Sequence, residues 1–292
     1  MEFGVRWKDL RRSSNVRDVR GAGGTRGGRI PLPIGRGGRL GGGLGMLVIL
    51  GLLFVLGGPE AVLQVFSGGG SAPTSEQGRP LTAGDEASEF VARVLGSTED
   101  VWGAVFANSG DRYQAPELTL FAGAVQSTCG YASSASGPFY CPSDRRVYLD
   151  TSFFDQLARM GGAGDFAAAY VIGHEVGHHV QTLLGTSDQV RSAQQRSRET
   201  DANRLQVAME LQADCFAGVW AYHANQTTRV LEPGDIEEGL AAAEAIGDDT
   251  LQRGAGRSVT PDSFTHGSSA ERQQWLSTGL RTGDPGACDT FN

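Results

Sequence analysis

Apolar and polar positions along this chain follow two periods, with one long interruption. Beyond residue 85, apolar side chains recur every three or four positions in several stretches, the spacing that lines one face of an α-helix. This predicts helices over residues 86–95, 98–106, 152–160, 166–184, 201–226, 235–252 and 270–280. Asp165 is placed to cap the fourth, and Ser268-x-x-Glu271 is a capping box opening the last. Residues 118–121 and 146–150 read as strands, the second alternating in and out. Gly173 and Gly177 fall inside a predicted helix, where each costs up to about 1 kcal/mol against Ala, so close approach by a neighbouring backbone is expected there. The fold class expected is α+β, mainly helical, with a small sheet beside the helix at 166–184.

The interruption is an uncharged run at residues 40–59, strongly apolar from Leu47 to Leu56. It just meets the roughly 20 residues that a helix needs to cross a bilayer. Charge is divided around it. Residues 1–39 carry ten Lys/Arg and three Asp/Glu, whereas the remaining 253 carry fifteen and thirty. Because basic flanks stay in the cytoplasm, the expected organisation is a disordered basic cytoplasmic tail (1–39), one transmembrane helix (40–59), a flexible linker (60–84) and an extracytoplasmic folded domain (85–292). No nucleic-acid-binding motif accompanies the basic tail, and no nucleic-acid partner is expected. All four Cys follow the apolar run, which suits two disulfides in an oxidising compartment. Of the three connectivities open to four Cys, Cys129–Cys141 with Cys215–Cys288 is favoured; a reduced set would require a cytoplasmic domain.

The chemistry concentrates in His174-Glu175-Val176-Gly177-His178. Helical positions four apart return to nearly the same face, so the two imidazoles point at one spot and Glu175 lies one step around. That is the arrangement in which two His bind zinc and the Glu serves as general base, although a polar helix face carrying two His is the competing explanation. A hydrolytic zinc site needs a third protein ligand and an open position. Glu210, on the next long helix, supplies the ligand, and Asp214 one turn further on can accept the free ring N–H of a ligand His. Among the other His, His179 is expected at the surface or behind the ligands, and His223 in solvent. His266 lies on a loop before the last helix, where it can reach the site and stabilise an oxyanion or serve as a structural loop residue.

Residues 173–181, then 210–220, resemble the bacterial family called putative neutral zinc metallopeptidases. So do Ser13-Ser14-Asn15-Val16, residues 137–142 and 147–150, and Ser263-Phe264-Thr265-His266-Gly267. The resemblance covers most of the chain in the family's order. It implies a zincin-like, membrane-anchored peptidase domain acting on a peptide or protein substrate, with Zn2+ held by His174, His178 and Glu210, Glu175 and His266 catalytic, and the strand of Tyr148 lining the cleft. A reading from another class is a membrane-tethered binding or scaffold module that keeps zinc as a brace. A brace, however, is usually closed by four protein ligands and has no use for Glu175.

Overall fold

The computed structural model describes residues 6–20, 79–80 and 85–291. The tail at 21–39, the apolar run at 40–59 and nearly all of the linker at 60–84 lie outside the described residues. No helix among the described residues is long and apolar enough to cross a membrane.

Among the described residues, seven strands and eight α-helices follow one another. They are β1 (Val16–Asp18), β2 (Arg79–Pro80), α1 (Glu86–Asn108), β3 (Glu117–Phe121), β4 (Ala124–Ser127), β5 (Gly130–Ser133), β6 (Phe139–Cys141), β7 (Arg146–Asp150), α2 (Ser152–Arg159), α3 (Asp165–Leu183), α4 (Thr186–Gln194), α5 (Glu199–Thr228), α6 (Asp235–Ala245), α7 (Asp248–Gly254) and α8 (Ser269–Thr282). Five strands form one sheet in the order β2-β1-β3-β7-β6. Its three central strands are parallel, and the two edges run antiparallel to them. Alternation sorts the side chains: Leu118, Leu120, Val147 and Leu149 pack with α1 and α3 in the main core, while Phe121, Tyr148 and Cys141 face the β4–β5 hairpin. The architecture is thus the mainly helical α+β fold expected.

Helix α3 is buried from Phe166 to Gln181 with little interruption, because the sheet and α1 cover one flank and α5 and α6 others. A Cβ at Gly173 would stand 2.8 Å from the Trp220 ring, and one at Gly177 would stand 2.9 Å from the Ala213 carbonyl oxygen. The two glycines therefore let α5 lie directly against α3. Helix α8 crosses α5 as closely, at Gly218 and Gly279. Both disulfides have the favoured pairing, Cys129–Cys141 and Cys215–Cys288, and no cysteine is free.

Four expectations are corrected. The predicted helices at 86–95 and 98–106 are one helix, α1, which passes through Gly96 because a Cβ there would collide with the carbonyl oxygen of Arg11. The predicted helix at 235–252 breaks at residues 246–247 into α6 and α7. Asp165 is the first residue of α3 rather than its cap; Gly164 holds the cap position. Most consequentially, residues 6–20 are not a disordered tail. Leu10 and Val16 are buried in the main core, Trp7 meets the Phe90 ring edge-on at 5.6 Å, and β1 occupies an inner position of the sheet. The Ser-Ser-Asn stretch explains the ordering: Ser13 and Asn15 both donate to the Glu99 carboxylate, at 2.6 and 2.7 Å, joined by Arg11 at 2.7 Å.

Candidate metal centre

Helix α3 carries His174, Glu175 and His178 on the turn that faces α5 and an open cleft, and the close α3–α5 approach brings Glu210 to them. Glu210 Oε2 lies 3.2 Å from His174 Nε2 and 3.4 Å from His178 Nε2. The two rings stand 4.7 Å apart and nearly perpendicular. Donors bonded to a tetrahedral zinc at about 2.0–2.1 Å are separated from one another by about 3.3 Å, so these spacings suit that ion. One oxygen and two nitrogens is also a donor set that zinc accepts. Among the described residues, no fourth His, Cys, Asp or Glu joins this group.

Both rings are turned by what holds their other nitrogen. His174 Nδ1 lies 2.7 Å from Asp214 Oδ1, and His178 Nδ1 lies 2.9 Å from Gln181 Oε1. Gln181 is itself fixed, donating at 2.7 Å to the Met209 carbonyl. Asp214 accepts from Arg272 Nε and Nη2, both at 2.8 Å, and from the Tyr170 hydroxyl at 2.6 Å. Such partners fix the tautomer and aim Nε2 at the metal position.

Charge makes the case independently of distance. Glu175, Glu210 and Asp214 are buried near Arg272, the one buried guanidinium among the described residues. Three carboxylates against one cation leave two negative charges, a large cost in a buried site unless a dication compensates them. Protons are drawn in where that ion would sit. Burial disfavours charge on His174, but the carboxylates of Asp214 and Glu210 outweigh it and push its pKa up to about 10. His178 is raised against the same burial penalty by Glu210. Glu210 is held well below the usual carboxylate range, its burial outweighed by both His. Asp214 is held down at about 2, chiefly by Arg272 against burial. Glu175, by contrast, is raised, principally by burial, which suits a group that must take up a proton.

The cleft beside these residues has a volume of about 630 Å³. Its wall includes His266, which projects from the loop before α8. Asp248 at the start of α7 holds that loop: its Oδ2 accepts from the backbone N–H groups of Thr265, His266 and Gly267, and its Oδ1 lies 3.3 Å from His266 Nδ1. The same Asp248 contact raises the His266 pKa. Edge strand β6 forms part of another wall. Tyr148, expected to line the cleft on its strand, does not; β7 is paired on both sides, and the Tyr148 ring stacks on Phe139 at 4.9 Å on the face away from α3. Of the strands beside the cleft, β6 is the one with an unpaired side among the described residues.

Two further His are relocated. His179 is fully buried rather than superficial, 3.0 Å from the Tyr140 hydroxyl, and burial lowers its pKa to about 4. His223 is half-buried, with Nε2 2.8 Å from the Gly283 carbonyl at the end of α8. Tyr170, Gln181, Asp248 and Arg272 escaped the sequence reading. Tyr170 and Gln181 sit one turn from the ligand His, a signal that spacing offers; Asp248 and Arg272 belong to distant segments and had none. A second carboxylate group, Asp165, Asp235 and Glu238, gathers within 4.8 Å at the starts of α3 and α6, away from the His pair.

Comparison with known proteins agrees with this geometry. The model of the family described as putative neutral zinc metallopeptidases matches residues 5–291. The uncharacterized protein YpfJ of Escherichia coli strain K12 is 46% identical over 289 residues, covering 98% of this chain and 99% of its own. The uncharacterized protein Rv2575 of Mycobacterium tuberculosis strain H37Rv is 44% identical over 220 residues, 72% of this chain and 73% of its own. No solved structure matches.

Proposed function

Because the chain belongs to the putative neutral zinc metallopeptidases, we propose that it is a membrane-anchored, zinc-dependent endopeptidase, with the run at 40–59 as its membrane attachment. The observation that carries the catalytic part is the convergence of His174 and His178 Nε2 on Glu210 Oε2, each ring locked from behind, with Glu175 beside them in an open cleft. His174, His178 and Glu210 hold the metal. Bound there, zinc supplies Lewis acidity, polarising a carbonyl and bringing the pKa of a water toward about 7. Glu175 takes the proton of the attacking water and later delivers it to the leaving amine. His266, oriented by Asp248, donates to the oxygen on which negative charge develops. Arg272 and Tyr170 keep the Asp214 carboxylate pointed at His174.

The substrate is an extended peptide. Backbone groups on the open side of β6 can pair with it without regard to its sequence, the economy of strand addition. Toward the N-terminal half of α3 the cleft is walled by Phe153, Met160, Val171, Ile246 and Leu251, of which Met160 and Leu251 are each 41% exposed; toward the other end Ser187, Gln194 and Gln206 line it, beside Val190 and Met209, which are buried. An apolar side chain on one side of the scissile bond fits that asymmetry. The test is cleavage of a peptide library by the zinc-loaded protein and by Glu175→Gln. The wild type should cut next to large apolar residues and lose activity to a chelator. The variant should bind zinc unchanged and turn over at least about 100-fold more slowly. Wild-type turnover by Glu175→Gln would remove the general-base assignment.

A further inference from the structure

The N-terminal segment bears on how the protein meets a membrane, whatever the metal centre does. Strand β1 pairs in parallel with β3, Arg17 opposite Thr119, and antiparallel with β2, Asp18 opposite Arg79. Residues 16–18 and 79–80 are therefore neighbours in one sheet. Adjacent strands lie about 4.8 Å apart, whereas the hydrocarbon core of a bilayer is about 30 Å thick, so β1 and β3 cannot be on opposite sides. A single crossing at 40–59 would separate them.

The basic charge that suggests cytoplasmic retention has partners within the fold. Arg11 meets Glu99 and Asp100 at 2.7 and 2.8 Å, Arg12 meets Glu89 at 2.9 Å, and Arg20 meets Asp85 at 2.6 Å. Arg17 lies 3.3 Å from Glu117. Lys8 lies 3.8 Å from Glu86, so among the described residues five of the ten basic side chains in residues 1–39 are matched to acidic positions of the folded domain. Complementarity to that acidic surface accounts for them without a topological role. The two disulfides place the domain in an oxidising compartment, and β1 must be there with it.

We propose that residues 6–20 lie with the metal centre on the oxidising side of the membrane and not in the cytoplasm. Segment and domain then share one compartment.

The experiment uses the full chain inserted in bacterial cells, carrying either Lys8→Cys or Ser258→Cys. Both positions are exposed, and all native cysteines are paired, so only the new thiol reacts. Intact spheroplasts are treated with a membrane-impermeant maleimide before and after detergent. Both thiols should be labelled to within about twofold of the detergent value without it. Labelling of Lys8→Cys that appears only with detergent overturns the proposal, and so does a Ser258→Cys thiol that needs detergent. Asp9→Cys, also exposed, reads the same segment if Lys8→Cys impairs folding. None of these readouts depends on peptidase activity, so failure here is distinct from failure of the catalytic reading.

Discussion

At the scale of single residues, the centre is specified by which atom of each side chain is already engaged. His174 and His178 each spend Nδ1 on a neighbour, Asp214 and Gln181, and so present Nε2 to Glu210. The grouping of His174, Glu175 and His178, and separately that of Glu210 and Asp214, was legible in the sequence as helical spacings of one or four. Gln181 and Tyr170 were within reach of the same reasoning. Arg272 was not, since its contact with Asp214 joins residues 58 apart through the crossing of two helices. The second carboxylate group yields a prediction at this scale. Asp235 has its pKa raised to about 6, first by burial and then by the charges of Asp165, Glu232 and Glu237. A carboxyl raised in the fold favours it while protonated. Its contribution is fully present below the ordinary value of 3.8 and is lost as pH rises through about 6. Asp235→Asn keeps an acceptor for the Glu232 N–H, 2.8 Å away, and removes the charge. At pH 7 it should raise Tm by about 2–4 °C, equivalent to about 1 kcal/mol, and the gain should vanish by about pH 4 in a thermal melt series. A gain that persists at pH 4 would show that repulsion at Asp235 is not its source.

At the scale of elements, periodicity located most helices within a few residues, and it failed where tertiary contact decided the outcome. Gly96 reads as a break, yet α1 runs through it because the small residue is needed against Arg11 rather than for a turn. Tyr148 sits on a strand that alternates as a cleft-lining strand would, but nothing in the alternation says which strand of a sheet is the edge. The α3–α5 contact is the element-level determinant of the metal centre. Gly177→Val puts a branched side chain against the Ala213 backbone, so α5 must shift and carry Glu210 away from the His pair. Zinc affinity measured by competition with a chromophoric chelator should fall at least tenfold, with lowered Tm. Gly103→Ala in α1, where a Cβ meets nothing within 4 Å, is the control and should leave zinc affinity alone while adding about 0.5–1 kcal/mol of stability. Equal zinc affinity in both variants would separate the helix contact from the site.

At the scale of the whole molecule, two covalent closures and one added strand bind distant parts together. Cys215–Cys288 closes 73 residues and ties the C-terminal segment to α5 only five positions past Glu210, while Cys129–Cys141 closes 12. Loop-closure entropy makes the first worth about 4 kcal/mol and the second about 3 kcal/mol. Replacing Cys215 and Cys288 by Ala should therefore lower Tm more than replacing Cys129 and Cys141, and should also loosen zinc; equal losses in calorimetry, with zinc retained, would refute that coupling. The amino-acid sequence by itself determined most of the helices, the spacing that puts His174, Glu175 and His178 on one turn, and the parity of cysteines, because each is written in local periodicity or in the chemistry of residue types. Only the tertiary structure decided that Arg272 and Asp248 serve the centre, that β6 and not β7 borders the cleft, and that residues 6–20 belong to the sheet. Those relations join segments far apart in the chain, and no local pattern records which distant surfaces packing will bring into contact.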